Sequence, residues 1–351
     1  MKNDCQDSLS VRRKSMRVKS GVLLFAGAVS LTAASVPVTM GKAEDLAPLS
    51  VIAFPGTGNW PIRIAQEKGY FASNGIEVNL TPTPNSVFQM TNLIEGKFDI
   101  AMTAVDNVIA YVEGQGEVSL PAQSDLFVFM GGSPSTPVLV TIPEVKSYLD
   151  LKGKTLATDA PSTGYAFILF DLLKRNGLRL NVDYTIAPAG GTLARWQGMR
   201  EGKYAGALLT SPFDLIAKSE GFNVLQYAKD VYGHYEESVG ATRRAWAWGN
   251  EKKLIAYIKA YVTAVEWLRD PANKDEAISI LRKAFPQLTP AIAAGAYTNF
   301  VGPGGIAAKA ELDIAGIRKV LELRSEYGRG QKTLMDPSRY YDLRYYEMAI
   351  K

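Results

Sequence analysis

The sequence predicts an α/β protein of two similar lobes, each built on a largely parallel sheet, and three observations carry that expectation. From Asp45 onward, short apolar runs alternate with amphipathic stretches, the pattern of βα units. The punctuation of one such block then returns: "NG" at 74–75 recurs at 176–177, and "EGKFDIAMTAVD" at 95–106 recurs as "EGKYAGALLTSPFD" at 201–214. The NG pairs stand 102 residues apart and the EGK triplets 106, so a whole βαβαβ block is repeated. A chain of 351 residues is also long for one core and comfortable for two.

The elements follow in order. "LSVIAF" is a strand, "PGTGN" turns the chain, and "WPIRIAQEKGYFASN" reads as one helix with Pro61 in its first turn, where a missing N–H costs nothing. Gly75 stops it. "IEVNL" is the second strand, "SVFQMTNLIE" a helix capped by Asn85 or Ser86, Gly96 its stop, and "FDIAM" the third strand. The second block repeats the order with "KTLAT", "GYAFILFDLLKRN", "VDYTIAP", "LARWQGMRE", the stop Gly202, and "AGALL". The Gly, Ser and Pro cluster at 131–137 is the expected first crossover between lobes. The return crossover is expected in "VYGHYEESVGATRRAWAW", with "SVGAT" as a strand rejoining lobe one. Beyond about Asn250 the chain reads as helical, and "EKKLIAYIKAYVTAVEWLRD" ends at Asp270-Pro271.

Residues 1–43 read as a secretory leader: a basic "VRRKSMRVKS", an apolar "GVLLFAGAVSLTAA", and small residues before a cleavage near Ala43. The apolar run is shorter than the roughly 20 residues a span requires. "VRRKSMR" lacks the fuller twin-arginine consensus, so the general export route is preferred and the other left open, with Met1 or Met16 as the start. The mature protein is therefore expected to be soluble and periplasmic or extracytoplasmic. The leader carries seven Lys or Arg against Asp4 and Asp7, a net of +5 in a chain of +4, so the remainder carries −1. That balance leaves no basic excess for a nucleic-acid partner. Cys5 leaves with the leader, which removes disulfide and thiol chemistry, and a single histidine, His234, argues against a His-based metal site. Neither a nucleophile motif nor a GxGxxG or GxxxxGK[ST] loop occurs. No catalytic residue, metal or cofactor is expected.

In parallel α/β sheets, ligands bind at the carboxyl ends of strands, where loops lead into helix N-termini. This selects the loops at 55–60, 83–86 and 103–107 in lobe one, and 159–164, 189–192 and 210–214 in lobe two. Each candidate also has a plain structural role. Gly56, Gly58 and Asn59 can make a tight turn; Asn85, Ser162 and Thr163 can be ordinary caps; Trp60, Tyr165 and Phe213 can be core. Asp106 can cap a helix, and His234 can be a surface or hinge residue. Arg63 and Arg195 sit in first helical turns, where a cation opposes the helix dipole, so each is read as solvated or as a cleft arginine.

The stretch "GTGNWPIRIAQEKGYFASNGIEVNL", followed by "EGKFDIAMTAVDNV", resembles the solute-binding proteins of ABC importers for nitrate, sulfonates, taurine and pyrimidine thiamin precursors. Ala65, Glu67, Gly69, Tyr70, Phe71, Gly75, Ile76 and Val78 match one motif of that family, and Gly96, Phe98, Asp99 and Ile100 another. The resemblance implies a type II periplasmic-binding-protein fold, with two βα lobes, two crossovers and a ligand cleft between them. Lobe one would comprise 44–136 and 236–351 with the C-terminal helices, and lobe two 137–235. It implies ligand contacts at Phe54, Thr57, Asn59, Trp60, Asn85, Ser86, Thr103, Ala104 and Asp106, and across the cleft at Ser162, Thr163, Thr192, Thr210 and Ser211. It further implies delivery to an ABC permease and its ATPase, and the receptor is expected to act as a monomer.

The aromatic candidates Phe54, Trp60, Phe88, Tyr165 and Phe213 favour an organic solute with a flat or apolar body: a sulfonate, an aromatic or carboxylic acid, or a pyrimidine-like molecule. Asp106 in the cleft would favour a ligand that also donates hydrogen bonds. Two other readings stand beside the importer receptor. One is an exported enzyme related to thiamin-pyrimidine synthesis, against which the missing cysteine-rich motif counts. The other is a ligand-sensing receptor for a membrane signalling protein.

Overall fold

A computed structural model describes residues 46–120, 124–132 and 137–351 of the chain. The leader expected at 1–43, and most of the first crossover expected at 131–137, lie outside the described residues. No described helix is long and apolar enough to cross a membrane.

Two five-stranded sheets form, and their plans are the same. In the first, strands β1 (Ala47–Ala53), β2 (Ile76–Pro82), β3 (Ile100–Ala104) and β4 (Leu126–Gly131) are joined by a late strand. The second holds β5 (Val138–Thr141), β6 (Lys154–Thr158), β7 (Tyr184–Pro188), β8 (Gly206–Leu209) and β9 (Asn223–Tyr227), and β10 (Ser238–Arg243) then returns to the first. The orders are β2-β1-β3-β10-β4 and β7-β6-β8-β5-β9. In each, three strands are parallel, with Val51 level with Leu80 and Ile100 in one and Leu156 level with Ile186 and Gly206 in the other. The fourth strand is antiparallel and comes from the other half of the chain: β10 lies against β3 and β4, and β5 against β8 and β9. Both also slip register against the outer strand, at Gly240/Ala241 and at Leu139/Val140. Each sheet is thus largely parallel, four strands running one way, and is made mixed by the one antiparallel strand that the chain supplies as it passes between the sheets.

The repeated stops have one physical cause. Gly96 and Gly202 adopt left-handed φ of 80° and 72°, which ends each helix and turns the chain into the next strand. The single helix expected over 60–74 is broken by the same device. Gly69, with φ of 72°, separates the helix Trp60–Glu67 from a single turn at Tyr70–Ser73. That break brings Phe71 flat against Tyr257, 5.6 Å between ring centres, on the long helix Glu251–Arg269.

An apolar cluster runs from Val51 and Ile100 of the first sheet through Tyr257 and Tyr261 of the long helix. It continues by Phe285 and Phe213, whose rings meet edge-on at 6.3 Å, to Ala207 and Leu209 of the second. The helix Ile314–Tyr327 packs on both the helix Val105–Val112 and the helix Gly164–Arg175, and the helix Pro290–Val301 packs on Phe213–Ser219. The C-terminal helices therefore touch the elements of both sheets.

Candidate functional site

The residues that follow the carboxyl ends of β1, β3, β6 and β8 line one cavity, as the parallel-sheet rule requires. Its free interior volume is about 80 Å³, room for a small solute only. Backbone contacts close the loops over it. The Thr57 N–H donates to the Ser211 carbonyl at 3.0 Å, the Gly191 N–H to the Pro84 carbonyl at 2.9 Å, and the Ser86 N–H to Asp159 Oδ2 at 3.0 Å. The Phe54 ring lies against Gly191 so closely that a Cβ there would meet its Cδ1 at 3.1 Å.

Seven of the expected contacts line this cavity: Phe54, Asn59, Thr103, Ala104, Thr163, Thr192 and Thr210. Several are already held by neighbours. Asn59 Nδ2 donates to the Phe54 carbonyl at 2.8 Å, Thr163 Oγ1 to the Ala160 carbonyl at 2.8 Å, and Thr103 Oγ1 accepts from Asn107 Nδ2 at 3.0 Å. The other seven do not line it, and each has a structural duty instead. Asn85 caps the helix Ser86–Ile94 by accepting from the Phe88 N–H, while Thr57, Ser86 and Ser211 make the loop contacts above. Ser162 donates to Glu117 and offers its carbonyl to Arg324.

Two expectations are corrected outright. Trp60 is fully buried away from the cavity: its Nε1 donates to the Ala277 carbonyl at 3.0 Å, and Tyr297 and Phe300 pack on its ring at 6.0 and 5.6 Å. Trp60→Ala should therefore cost about 3–5 kcal/mol of stability rather than selectively remove a ligand contact. A chemical denaturation curve measures it, and an unchanged midpoint would contradict the placement. Asp106 is likewise spent, because both its oxygens accept from Arg324, Nε at 2.7 Å and Nη2 at 2.6 Å, and both residues are buried. Phe88 is 43% exposed and Phe213 is core, so of the aromatic candidates only Phe54 and Tyr165 reach the cavity.

The charged groups were the part of the site least visible in the sequence. Arg195, in the first turn of the helix Thr192–Arg200, is 1% exposed rather than solvated. Its Nη2 donates to Thr192 Oγ1 at 2.8 Å, its guanidinium lies over the Tyr165 ring at 5.1 Å, and its Nε and Nη1 have no partner. Burial lowers its pKa, against the opposing pull of Asp159, Tyr165 and Glu237. The Tyr165 hydroxyl donates to Glu237 Oε1 at 2.6 Å, and burial with the neighbouring Glu237 charge raises the Tyr165 pKa well above its ordinary value. Burial pushes the Glu237 carboxyl up to about 7, although the Tyr165 hydroxyl and Arg195 pull it down. Asp159 keeps one buried oxygen, Oδ1, without a partner. The sequence signal for Arg195 was its unfavourable position: a cation at a helix N-terminus asks for an anion nearby. Among the described residues no group of three or more His, Cys, Asp or Glu is placed to hold a metal.

Beside Glu237, Glu236 turns the other way and accepts from the Asp313 N–H at 2.7 Å, while burial raises its pKa to about 8. An acid whose folded pKa exceeds its ordinary 4.5 makes the folded state hold the extra proton in between, so stability falls as pH rises through that window. The unliganded protein should melt several degrees lower at pH 8.5 than at pH 6, and Glu236→Gln should flatten that slope. An equal slope in the variant would assign the effect elsewhere.

The NMT1-like family model matches residues 42–282. The bicarbonate transport ATP-binding protein CmpC of Synechococcus elongatus is 27% identical over 238 residues, 63% of this chain and 35% of that protein. The chain thus spans about a third of the length of the curated relatives it matches. The alkanesulfonate-binding protein SsuA from Xanthomonas axonopodis pv. citri, bound to MOPS, has a TM-score of 0.64 at 14% identity, over 81% of this chain and 94% of that one. The periplasmic nitrate-binding protein NrtA from Synechocystis PCC 6803 has 0.61 at 15%, over 69% and 67%. At such identities the likeness is one of fold: the two-lobe α/β fold of periplasmic binding proteins. Both solved neighbours are binding proteins.

Proposed function

Because the chain belongs to the NMT1-like family, we propose that it is an extracytoplasmic solute receptor that closes on a small organic anion and passes it to an ABC permease and its ATPase. The observation that carries this reading is Arg195, a buried cation lining the cleft with two N–H donors unused. Leaving such donors and a charge uncompensated away from water is costly, and an oxyanion in the cleft would neutralise the charge and accept from a free N–H. Phe54, Met102 and Tyr165 supply apolar surface beside it, which suits a carboxylate or sulfonate on an organic body. The solutes named for the relatives, bicarbonate, nitrate and alkanesulfonate, are all anions, in keeping with this choice.

In this reading residues 1–43 are a leader cut near Ala43, lobe one comprises 44–136 and 236–351, lobe two comprises 137–235, and the receptor works as a monomer. Phe54, Asn59, Thr103, Ala104, Thr163, Thr192 and Thr210 face the ligand with Arg195, while Thr57, Ser86 and Ser211 hold the closed state. A thermal-shift panel tests it. Ligand at about 100 times its dissociation constant adds roughly 2.7 kcal/mol of apparent stability. Organic carboxylates or sulfonates should raise the melting temperature where their neutral amides or sulfonamides do not. A shift by the neutral compounds alone would reject the anion reading.

A further inference from the structure

A second cavity lies beside the contact between Thr57 and the Ser211 carbonyl, lined by Ser211, Asp214, Tyr227 and Lys229 and, from the other half of the fold, by Thr57 and Phe300. Its free volume is about 210 Å³. Asp214 is 6% exposed, yet its Oδ1 has no partner among the described residues, and the buried Ser211 hydroxyl has none either. Burial pushes the Asp214 carboxyl up to about 6, against the pull of the Leu215 N–H, its own N–H and Lys218. A carboxylate so enclosed is rarely left without a counter-charge or a full set of donors. Lys229 does not supply one, since its ammonium lies over the Tyr227 ring, 5.7 Å from the centre, and Oδ1 stays unused. The walls therefore offer a carboxylate oxygen, a hydroxyl and the aromatic surface of Tyr227 and Phe300. An organic ammonium ion answers all three, with N–H donors for the two oxygens and an alkyl group for the rings. A hard metal ion would ask for six or more oxygen ligands, and among the described residues no group of three or more His, Cys, Asp or Glu is placed to hold one.

We propose that this cavity is a second binding site, separate from the cleft, for a small organic ammonium ion held by Asp214 and Ser211. Its walls come from Thr57 and from residues between 296 and 304 as well as from residues between 211 and 229, so an occupant touches both sides of the Thr57–Ser211 contact. The site does not depend on which solute the cleft takes. The competing role for Asp214 is structural: a carboxylate in the first turn of the helix Phe213–Ser219 suits the helix dipole. A carboxylate with that role alone would respond to no added cation, and its loss would weaken the fold.

Calorimetric titration of the ligand-stripped protein with ethylammonium chloride separates the two roles, at constant ionic strength and with sodium, potassium and magnesium chloride as controls. Ethylammonium should bind with a dissociation constant of about 1 mM or tighter, and the metal salts should give no binding heat. Asp214→Asn keeps the shape of the side chain and should weaken ethylammonium binding at least about 10-fold, the scale of a hydrogen bond to a charged group, without lowering the melting temperature of the unliganded protein. Ser211→Ala leaves the carbonyl that Thr57 uses and should weaken binding several-fold. Absence of ethylammonium binding would overturn the proposal, as would equal binding of the metal ions or an affinity unchanged in Asp214→Asn. Should Asp214→Asn not fold, Ser211→Ala decides alone: a several-fold loss supports the site, and an unchanged affinity overturns it.

Discussion

Replacing Arg195 by methionine is expected to weaken anion binding by at least about 100-fold while making the unliganded protein more stable, by roughly 1–3 kcal/mol. The two effects have one origin. The guanidinium is 1% exposed and has one side-chain hydrogen bond, to Thr192, so the empty protein keeps a desolvated charge that only ligand compensates. Methionine fills similar volume without that charge, beside a Tyr165 ring already in contact with the site. Lysine is not a substitute, since a point charge cannot reproduce a planar guanidinium that holds Thr192 through Nη2 and keeps Nε and Nη1 free. Calorimetry gives the affinity and chemical denaturation the stability. A methionine variant that binds normally, or that is less stable when empty, would make Arg195 a structural residue.

Asp106→Asn should lower the melting temperature by roughly 10 °C, corresponding to about 3–5 kcal/mol for removing one member of a buried pair. Both carboxylate oxygens of Asp106 are engaged by Arg324, which is itself fully buried and also donates to the Ser162 carbonyl at 3.0 Å and to Gln115 Oε1 at 3.3 Å. The pair ties the start of the helix Val105–Val112 to the C-terminal helix Ile314–Tyr327 and to the loop after β6. Gly164 packs on it so tightly that a Cβ there would stand 2.8 Å from that of Asp106. The amide of asparagine keeps the shape and loses the charge, which leaves the Arg324 guanidinium buried and uncompensated. A melting temperature within a degree of the original would show that the pair contributes nothing to the fold.

What the sequence disclosed depended on how local the cause was. Gly96 and Gly202 were legible because a helix stop needs only one residue with a left-handed φ, and the strands were legible from their apolar runs. The cleft loops followed from the polarity of parallel strands, which places Thr103, Thr163 and Thr210 by rule, whereas Phe54 came from the family resemblance. Trp60 was misread because its partner Ala277 is 217 positions away, and the docking of the C-terminal helices decides which way its helix faces. Asp106 was misread for the same reason, with Arg324 218 positions away. The helix over 60–74 was drawn too long because periodicity continues across Gly69 while the backbone does not. Arg195 stood in plain view, and only the second lobe's burial distinguishes a cleft arginine from a solvated one.

On the proposed function, Arg195 receives the anionic end of an organic ligand inside the cleft. A crystal structure of the protein with the tightest-binding carboxylate or sulfonate tests it most directly. A ligand oxygen is expected within hydrogen-bond distance of Arg195 Nε or Nη1, with the organic body against Phe54 and Tyr165. A ligand bound in the cleft with those two nitrogens still turned to protein groups or water would contradict it.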